Sequence, residues 1–225
     1  MAQQVVFIHT VPPLLPVFAQ LGAELLPGVK LHHILDEPLI ERVRRRGVLA
    51  PEDAARVAAH VEAAAQIGAD AVLVTCSTIS PCVDAIRPTA PMPVLKIDEA
   101  MIAEAVRLGH KIGVAATAAT TLEPTRSLLE EAAARAGKTV EVELVFVDAA
   151  LPALLAGDAA THDRLLKAAV LTLAERSDVV VLAQASMARV LTVIPEAARP
   201  VPILSSPHLA LAQVRGLLSK VPSTS

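Results

Sequence analysis

The sequence has no tryptophan and no tyrosine, and three phenylalanines are its whole aromatic complement in 225 residues. A core without large rings must be assembled from Ala, Leu, Val and Ile, and apolar residues make up 53% of the chain, enough to exclude disorder. The same lack leaves no stacking platform for single-stranded nucleic acid. Basic charge is not in excess either. The formal net charge is -3, so no nucleic-acid partner is expected. Two cysteines, Cys76 and Cys82, are too few for a disulfide framework. No CxxC pair or His-rich cluster is present, so no metal site is expected. The start, Met1 to Gln4, carries no basic residue. The apolar stretch from Val5 to Leu26 is broken by His9, Pro12, Pro13 and Pro16, which rules out a membrane helix and weakens the reading as a secretion signal. The expected setting is cytoplasmic, with no membrane partner.

What is present alternates strand-like and helix-like segments. Val5 to Ile8 reads as a short buried strand ending at His9-Thr10, stopped by Val11-Pro12-Pro13. After a polar, Arg-rich stretch from Glu41 to Arg46, read as a solvated face, Pro51-Glu52-Asp53 opens a helix that Gly68 ends. Ala71 to Val74 is the next strand, Ser80-Pro81 caps a helix, Val94 to Ile97 is a third strand, and Ile102 to Leu108 is helical. The pattern then restarts. Ile112 to Ala115 is a strand, Glu123 to Ala136 a helix, Val142 to Val147 a strand and Leu165 to Ala174 a helix. Val179 to Leu182 and Pro202 to Leu204 are strands, and Leu209 to Leu218 is a closing helix. The tail Pro222 to Ser225 is expected to fray.

Such alternation predicts parallel sheets covered by helices, an α/β fold. The two halves also superpose. Asp70-Ala71-Val72-Leu73-Val74-Thr75-Cys76 lies on Asp178-Val179-Val180-Val181-Leu182-Ala183-Gln184, Pro93-Val94-Leu95 on Pro202-Ile203-Leu204, and Val5 to Thr10 on Ile112 to Thr117. The offset is nearly constant, about 108 residues, which predicts a duplicated unit. The first lobe is placed at residues 1–97 plus 208–225, and the second at 98–207.

In parallel α/β sheets ligands bind beyond the carboxyl ends of the strands. Those positions hold His9 and Thr10, Thr75 to Thr78, Asp98 and Glu99, Thr117, Gln184 to Ser186, and Ser205, Ser206 and His208. Small hydroxyls and loop N–H groups suit a small carboxylate. Cys76 follows a buried strand and precedes the helix marked by Ser80-Pro81, a setting that stabilises a thiolate. Cys82, two residues into that helix, reads as a small buried apolar residue. His32 and His33 read as an exposed pair, and His60, His110 and His162 as surface residues. Asp98-Glu99 reads as a hinge or cap as readily as a catalytic pair.

These residues carry a family resemblance. Val72-Leu73-Val74-Thr75-Cys76-Ser77-Thr78-Ile79 resembles the first cysteine motif of the aspartate/glutamate/hydantoin racemase superfamily. Val180 to Ala188 resembles its second motif, Ile112 to Thr117 the strand that opens its second half, and Leu204 to Pro207 its last strand. The resemblance covers nearly the whole chain. It implies two pseudo-symmetric α/β lobes with the active site in the cleft between them, no metal, no pyridoxal phosphate and no nucleotide. Members commonly form homodimers. Two cysteines would exchange a proton on opposite faces of the substrate carbon. Here Cys76 matches the first, but Gln184 stands at the second, preceded by Ala183 rather than glycine.

An amide is no base near neutral pH. Racemisation needs a base on one face and an acid on the other, so a single thiol points to one-sided protonation, one-base isomerisation or covalent addition to an activated double bond. The superfamily includes decarboxylases of disubstituted malonates and cysteine-dependent maleate isomerases, though the decarboxylases retain the second cysteine. The reading is therefore a cofactor-independent lyase or isomerase acting on a small carboxylate or related carbonyl compound. Cys76 is the acid, base or nucleophile, and His9, where glutamate racemases carry an aspartate, is a candidate second group. Thr10, Thr75, Ser77, Thr78, Thr117, Gln184, Ala185, Ser186 and His208 are the candidate substrate contacts, with His208 taken to end the last strand and face His9. Two alternatives stand. One is an amino-acid or hydantoin racemase with a histidine as second base, and the other is an inactive small-anion binding protein.

Overall fold

A computed structural model describes residues 2–220; the tail expected to fray lies outside them. The chain forms two compact units, Met1–Glu99 with Pro207–Ser225, and Ala100–Ser206. In the first, β1 (Gln4–His9), β2 (Lys30–Leu35), β3 (Ala71–Val74) and β4 (Val94–Lys96) form a sheet of order β2-β1-β3-β4, all parallel. In the second, β5 (Lys111–Ala116), β6 (Glu141–Phe146), β7 (Val179–Leu182) and β8 (Ile203–Ser205) repeat that order as β6-β5-β7-β8. Helices α1 (Leu14–Leu25), α2 (Glu37–Arg46), α3 (Pro51–Gln66) and α4 (Cys82–Ile86) connect the first set. Helix α5 (Glu99–Leu108) follows β4. Helices α6 (Leu122–Arg135), α7 (Ala150–Leu155) and α8 (Ala159–Ala174) connect the second set, and α9 (Ser206–Leu218) closes the chain. The duplicated α/β architecture read from the sequence is the architecture observed.

The duplication extends to single hydrogen bonds. Asp70 accepts from the Gln4 N–H at 2.7 Å, and its counterpart Asp178 accepts from the His110 and Lys111 N–H groups at 2.8 Å. Thr75 N–H donates to Ile8 O at 3.0 Å, and Ala183 N–H donates to Ala115 O at 3.0 Å. Thr75-Cys76 and Ala183-Gln184 therefore leave their sheets at the same point, beside the end of the neighbouring central strand.

The central strands β1, β3, β5 and β7 are almost wholly buried, so both side-chain faces are apolar and their Val-rich runs are conspicuous. Strand β2 is half-buried and carries His32 and His33, which hid it from periodicity. Helix α1 was obscured by its prolines. Pro12 and Pro13 precede it and Pro16 falls in its first turn, where a backbone N–H has no intrahelical partner to lose. The Arg-rich stretch is helix α2, started by Asp36, which accepts from Leu39 N–H at 3.1 Å, and ended by Gly47 at φ 79°. It is only partly a solvated face. Arg42 and Arg46 both bind the carboxylate of Asp53, which is fully buried at the start of α3. Edge strand β4 is shielded by Arg87, whose Nε donates to Val94 O at 2.7 Å and whose guanidinium pairs with Glu99 at 2.6 Å.

Candidate active site

Cys76 follows β3 by one residue. It is half-buried, as are Ser77 and Thr78, and its side chain packs against the cluster formed by Val6, Ile8, Val72, Val74, Ile79 and Cys82. The next helix starts later than the sequence suggested. It has five residues and begins at Cys82, and Ser80 does not cap it. Instead Ile79 N–H, Ser80 N–H and Ser80 Oγ all donate to Cys76 O, at 3.2, 3.1 and 3.3 Å. These donors brace the turn and are not free to face an anion. The N–H groups of Cys76, Ser77 and Thr78 have no partner among the described residues, and they are the donors left beside the thiol. Cys82 is 5% exposed, and burial, with the Asp53 charge, pushes its thiol up to about 11. That makes it a poor nucleophile.

His9 and Thr75 are adjacent at the ends of β1 and β3. Thr75 Oγ1 donates to Ile8 O at 3.0 Å, because a carbonyl oxygen can only accept. Thr75 Oγ1 must then accept from His9 Nδ1–H at 2.8 Å. His9 Nε2 is left as an acceptor, and His33 Nδ1–H donates to it at 2.9 Å. The chain of three side chains fixes the tautomer of both rings. Burial, then the His33 charge, pulls His9 down to about 4, so it is neutral at pH 7. His33 is lowered too, by burial and then by His32. Strand residues alternate in face. His9 packs with Phe7, Phe18 and His33, ring centroids 5.2 to 6.1 Å away, whereas Cys76 packs with Val6, Ile8, Val72 and Val74. The structure does not bring the His9 ring to the Cys76 face.

Other histidines differ from expectation. His32 and His33 are strand residues, not an exposed pair, and His32 Nε2 meets Gln4 Oε1 at 3.0 Å. His60 binds the buried Asp36 at 2.7 Å, and His162 is itself buried because it lies on the core face of α8. His208 does not end a strand. It sits in the first turn of α9 and is exposed, and it is absent from the contacts of His9.

The strand-end layer of this unit also holds two buried polar groups without a hydrogen-bond partner among the described residues, Thr10 Oγ1 and Asp98 Oδ1. Asp98, directly beyond β4, is 3% exposed, and burial pushes its carboxyl up to about 6 against the pull of its own N–H and of Lys96. Asp98 is thus a buried carboxyl and not only the hinge or cap expected from the sequence.

In the second unit, Gln184 directly follows Ala183, the residue after β7, and adopts an extended backbone before the 3₁₀ segment Ala185–Thr192. Its Oε1 accepts from Thr117 N–H at 2.6 Å, Thr117 Oγ1 at 3.0 Å and Ala118 N–H at 3.1 Å. Thr117 and Ala185 are buried, and Ser186 is half-exposed. Ser206 Oγ, just beyond β8, is buried without a partner among the described residues. Gln184 thus occupies the position in this unit that Cys76 occupies in the first, and its carbonyl oxygen fills a cradle of three donors. Among the described residues no group of three His, Cys, Asp or Glu side chains could hold a metal ion, and no helix is long and apolar enough to cross a membrane.

The family model for Asp/Glu/hydantoin racemase matches residues 17–214. The chain belongs to the Asp/Glu/hydantoin racemase family. No curated protein sequence matches it significantly. Among solved structures, allantoin racemase from Klebsiella pneumoniae superposes with a TM-score of 0.71 at 20% identity, over 97% of this chain and 88% of that one. Aspartate racemase from Picrophilus torridus gives 0.70 at 14% identity, over 95% and 94%. Arylmalonate decarboxylase gives 0.60 at 16% identity, over 99% and 94%. At these identities the likeness concerns the fold. Racemases and a decarboxylase share it, so reaction type rests on the strand-end residues.

Proposed function

We propose that this racemase-family chain is a cofactor-independent lyase or isomerase in which Cys76 alone carries the proton or the covalent bond, on a small carboxylate or related carbonyl substrate. The observation that carries the reading is Gln184. It stands where the internal repeat and the family resemblance both call for a second thiol, and a carboxamide neither takes nor gives a proton at pH 7. In the lyase form, the C–C bond to one carboxylate breaks, carbon dioxide leaves, and the electron pair stays on the α-carbon as an enolate. The Cys76 thiol then protonates that carbon from one face, and water returns a proton to the thiolate. Ser77 and Thr78 N–H groups hold the remaining carboxylate, with Thr10 as a further contact. His9 has a positioning role in this reading: neutral and bonded at both nitrogens, it fixes Thr75 at the base of the Cys76 turn. Homodimer formation is part of the proposal, and sedimentation at micromolar concentration tests it.

The chemical test is proton NMR in deuterium oxide with a panel of amino, hydroxy and aryl-substituted acids and malonates. The expected result is deuterium delivered to one face of the product carbon by the native protein and no turnover by Cys76→Ala. Turnover that survives Cys76→Ala would remove the basis of the proposal.

A further inference from the structure

Three features of Gln184 are independent of the rest of the site. First, its carboxamide orientation is fixed. Two of the groups that address one terminal atom are backbone N–H groups, of Thr117 at 2.6 Å and Ala118 at 3.1 Å. A backbone N–H only donates, so the atom it meets must be the oxygen and the amide cannot be turned over. Second, the Thr117 hydroxyl adds a third donor at 3.0 Å, which uses the acceptor capacity of that oxygen fully. Third, Nε2 has no hydrogen-bond partner among the described residues, and it is not one of the buried unpartnered atoms, so it remains open to solvent. The side chain is half-exposed. Its cradle therefore turns Gln184 into a fixed pair of N–H donors with no accepting face.

We propose that Gln184 is a substrate-contacting donor: its NH₂ group binds an acceptor oxygen of the substrate, a carboxylate or carbonyl that carries negative charge, and discriminates against an ammonium group at that point. The inference rests on the proposed carboxylate function and adds to it the polarity of the contact. An ammonium would find two N–H groups opposite it and no lone pair, because the one oxygen is consumed by the cradle. Preorganisation matters here, since a donor already held in place loses little rotamer freedom on binding.

Gln184→Glu is nearly isosteric. Its carboxylate inherits the cradle of Thr117 and Ala118 donors, so folding is retained, but it presents an acceptor where Gln184 presents donors. Gln184→Ala empties the cradle. The probe is malonate, a small dianion. Calorimetry should show malonate binding weakened at least about tenfold in both variants, the size of one hydrogen bond to a charged group. In nitrogen–proton NMR of the native protein, the side-chain NH₂ pair that disappears in Gln184→Glu should shift as malonate is added. Two outcomes overturn the inference: NH₂ signals that stay still while malonate binds, or a Gln184→Ala protein that binds malonate as tightly as the native one or more so, which would make the cradle itself the anion site. Malonate that slows alkylation of Cys76 without moving the Gln184 signals sinks this inference and leaves the proposed function standing. Malonate that moves them without slowing alkylation keeps the donor role and sinks the single-thiol site. Absence of malonate binding in the native protein counts against both.

Discussion

The two cysteines differ enough for alkylation to separate them by rate. The reactive species is the thiolate, and well below its pKa its fraction falls tenfold for each unit of upward shift. Burial and the Asp53 charge move Cys82 from an ordinary 9.0 to about 11. That shift alone leaves Cys82 with about a hundredfold less thiolate than an unperturbed thiol at pH 7.5. Access widens the gap, because Cys82 is 5% exposed and packed among Val57, Val61, Ile79 and Val83, whereas Cys76 is half-buried at a strand end. The assay is iodoacetamide labelling of the native protein, quenched at intervals and read by peptide mass spectrometry, with malonate present or absent. Cys76 should be modified first, by about tenfold or more, and malonate should slow it. Unfolding in urea should bring the two rates together. If Cys82 labels as fast as Cys76 in the folded protein, the account of the site is wrong at its base.

Asp98→Asn should change the pH dependence of stability. The folded carboxyl keeps its proton up to about 6 while the unfolded one loses it near 3.8, so the folded state binds more protons in between and wild-type stability falls as pH rises through that window. The variant lacks this loss and should gain up to about 3 kcal/mol on wild type between pH 3.5 and pH 7 in urea titrations; a difference that stays constant with pH would refute the assignment. His9 runs the other way: neutral when folded down to about 4 but protonated below 6.5 when unfolded, it makes stability fall as pH drops from 6.5 towards 4. His9→Gln should remove that acid-side loss in the same titrations. Thr75→Val leaves the His9 Nδ1–H without an acceptor in a buried site and should cost about 1–3 kcal/mol; a neutral result would mean the Thr75–His9–His33 chain is not formed. Gly113→Ala would put a methyl 2.5 Å from Leu173 Cγ and 2.6 Å from Ser177 Oγ, and should destabilise by roughly 1–3 kcal/mol, read as a lower thermal midpoint.

The sequence made the two-sheet plan legible because β1, β3, β5 and β7 are buried on both faces and spell it out as Val-rich runs. It hid β2, whose His32 and His33 replace β-branched residues on a half-buried strand, and α1, whose prolines look like breakers until they are seen at a helix start. The ends of the central strands were also legible, so that His9, Thr75, Thr117 and Ala183 could be placed there, whereas His208 lies in α9 and not at a strand end. The relations among the site residues were not. Nothing in the letters says that Thr117 and Ala118 N–H groups orient Gln184, that Asp98 is buried with an oxygen unpartnered, or that His9 and Cys76 leave neighbouring strands on different faces. Those facts depend on which backbone groups are left unpaired by the sheet, and sequence does not report them.

In the proposed mechanism one thiol acts because Gln184 holds the place of another. Proton NMR in deuterium oxide on wild type, Gln184→Cys and Gln184→Cys with Cys76→Ala tests it with one panel of α-substituted carboxylic acids. Wild type should show exchange on a single face, or none. Gln184→Cys should show new exchange on both faces, modest in rate because Ala183 precedes the new thiol and a misplacement of about 1 Å costs on the order of a hundredfold. Two-sided exchange should disappear again in the double variant. Two-sided exchange already present in the wild-type protein would contradict the account and require a second acid or base other than Gln184.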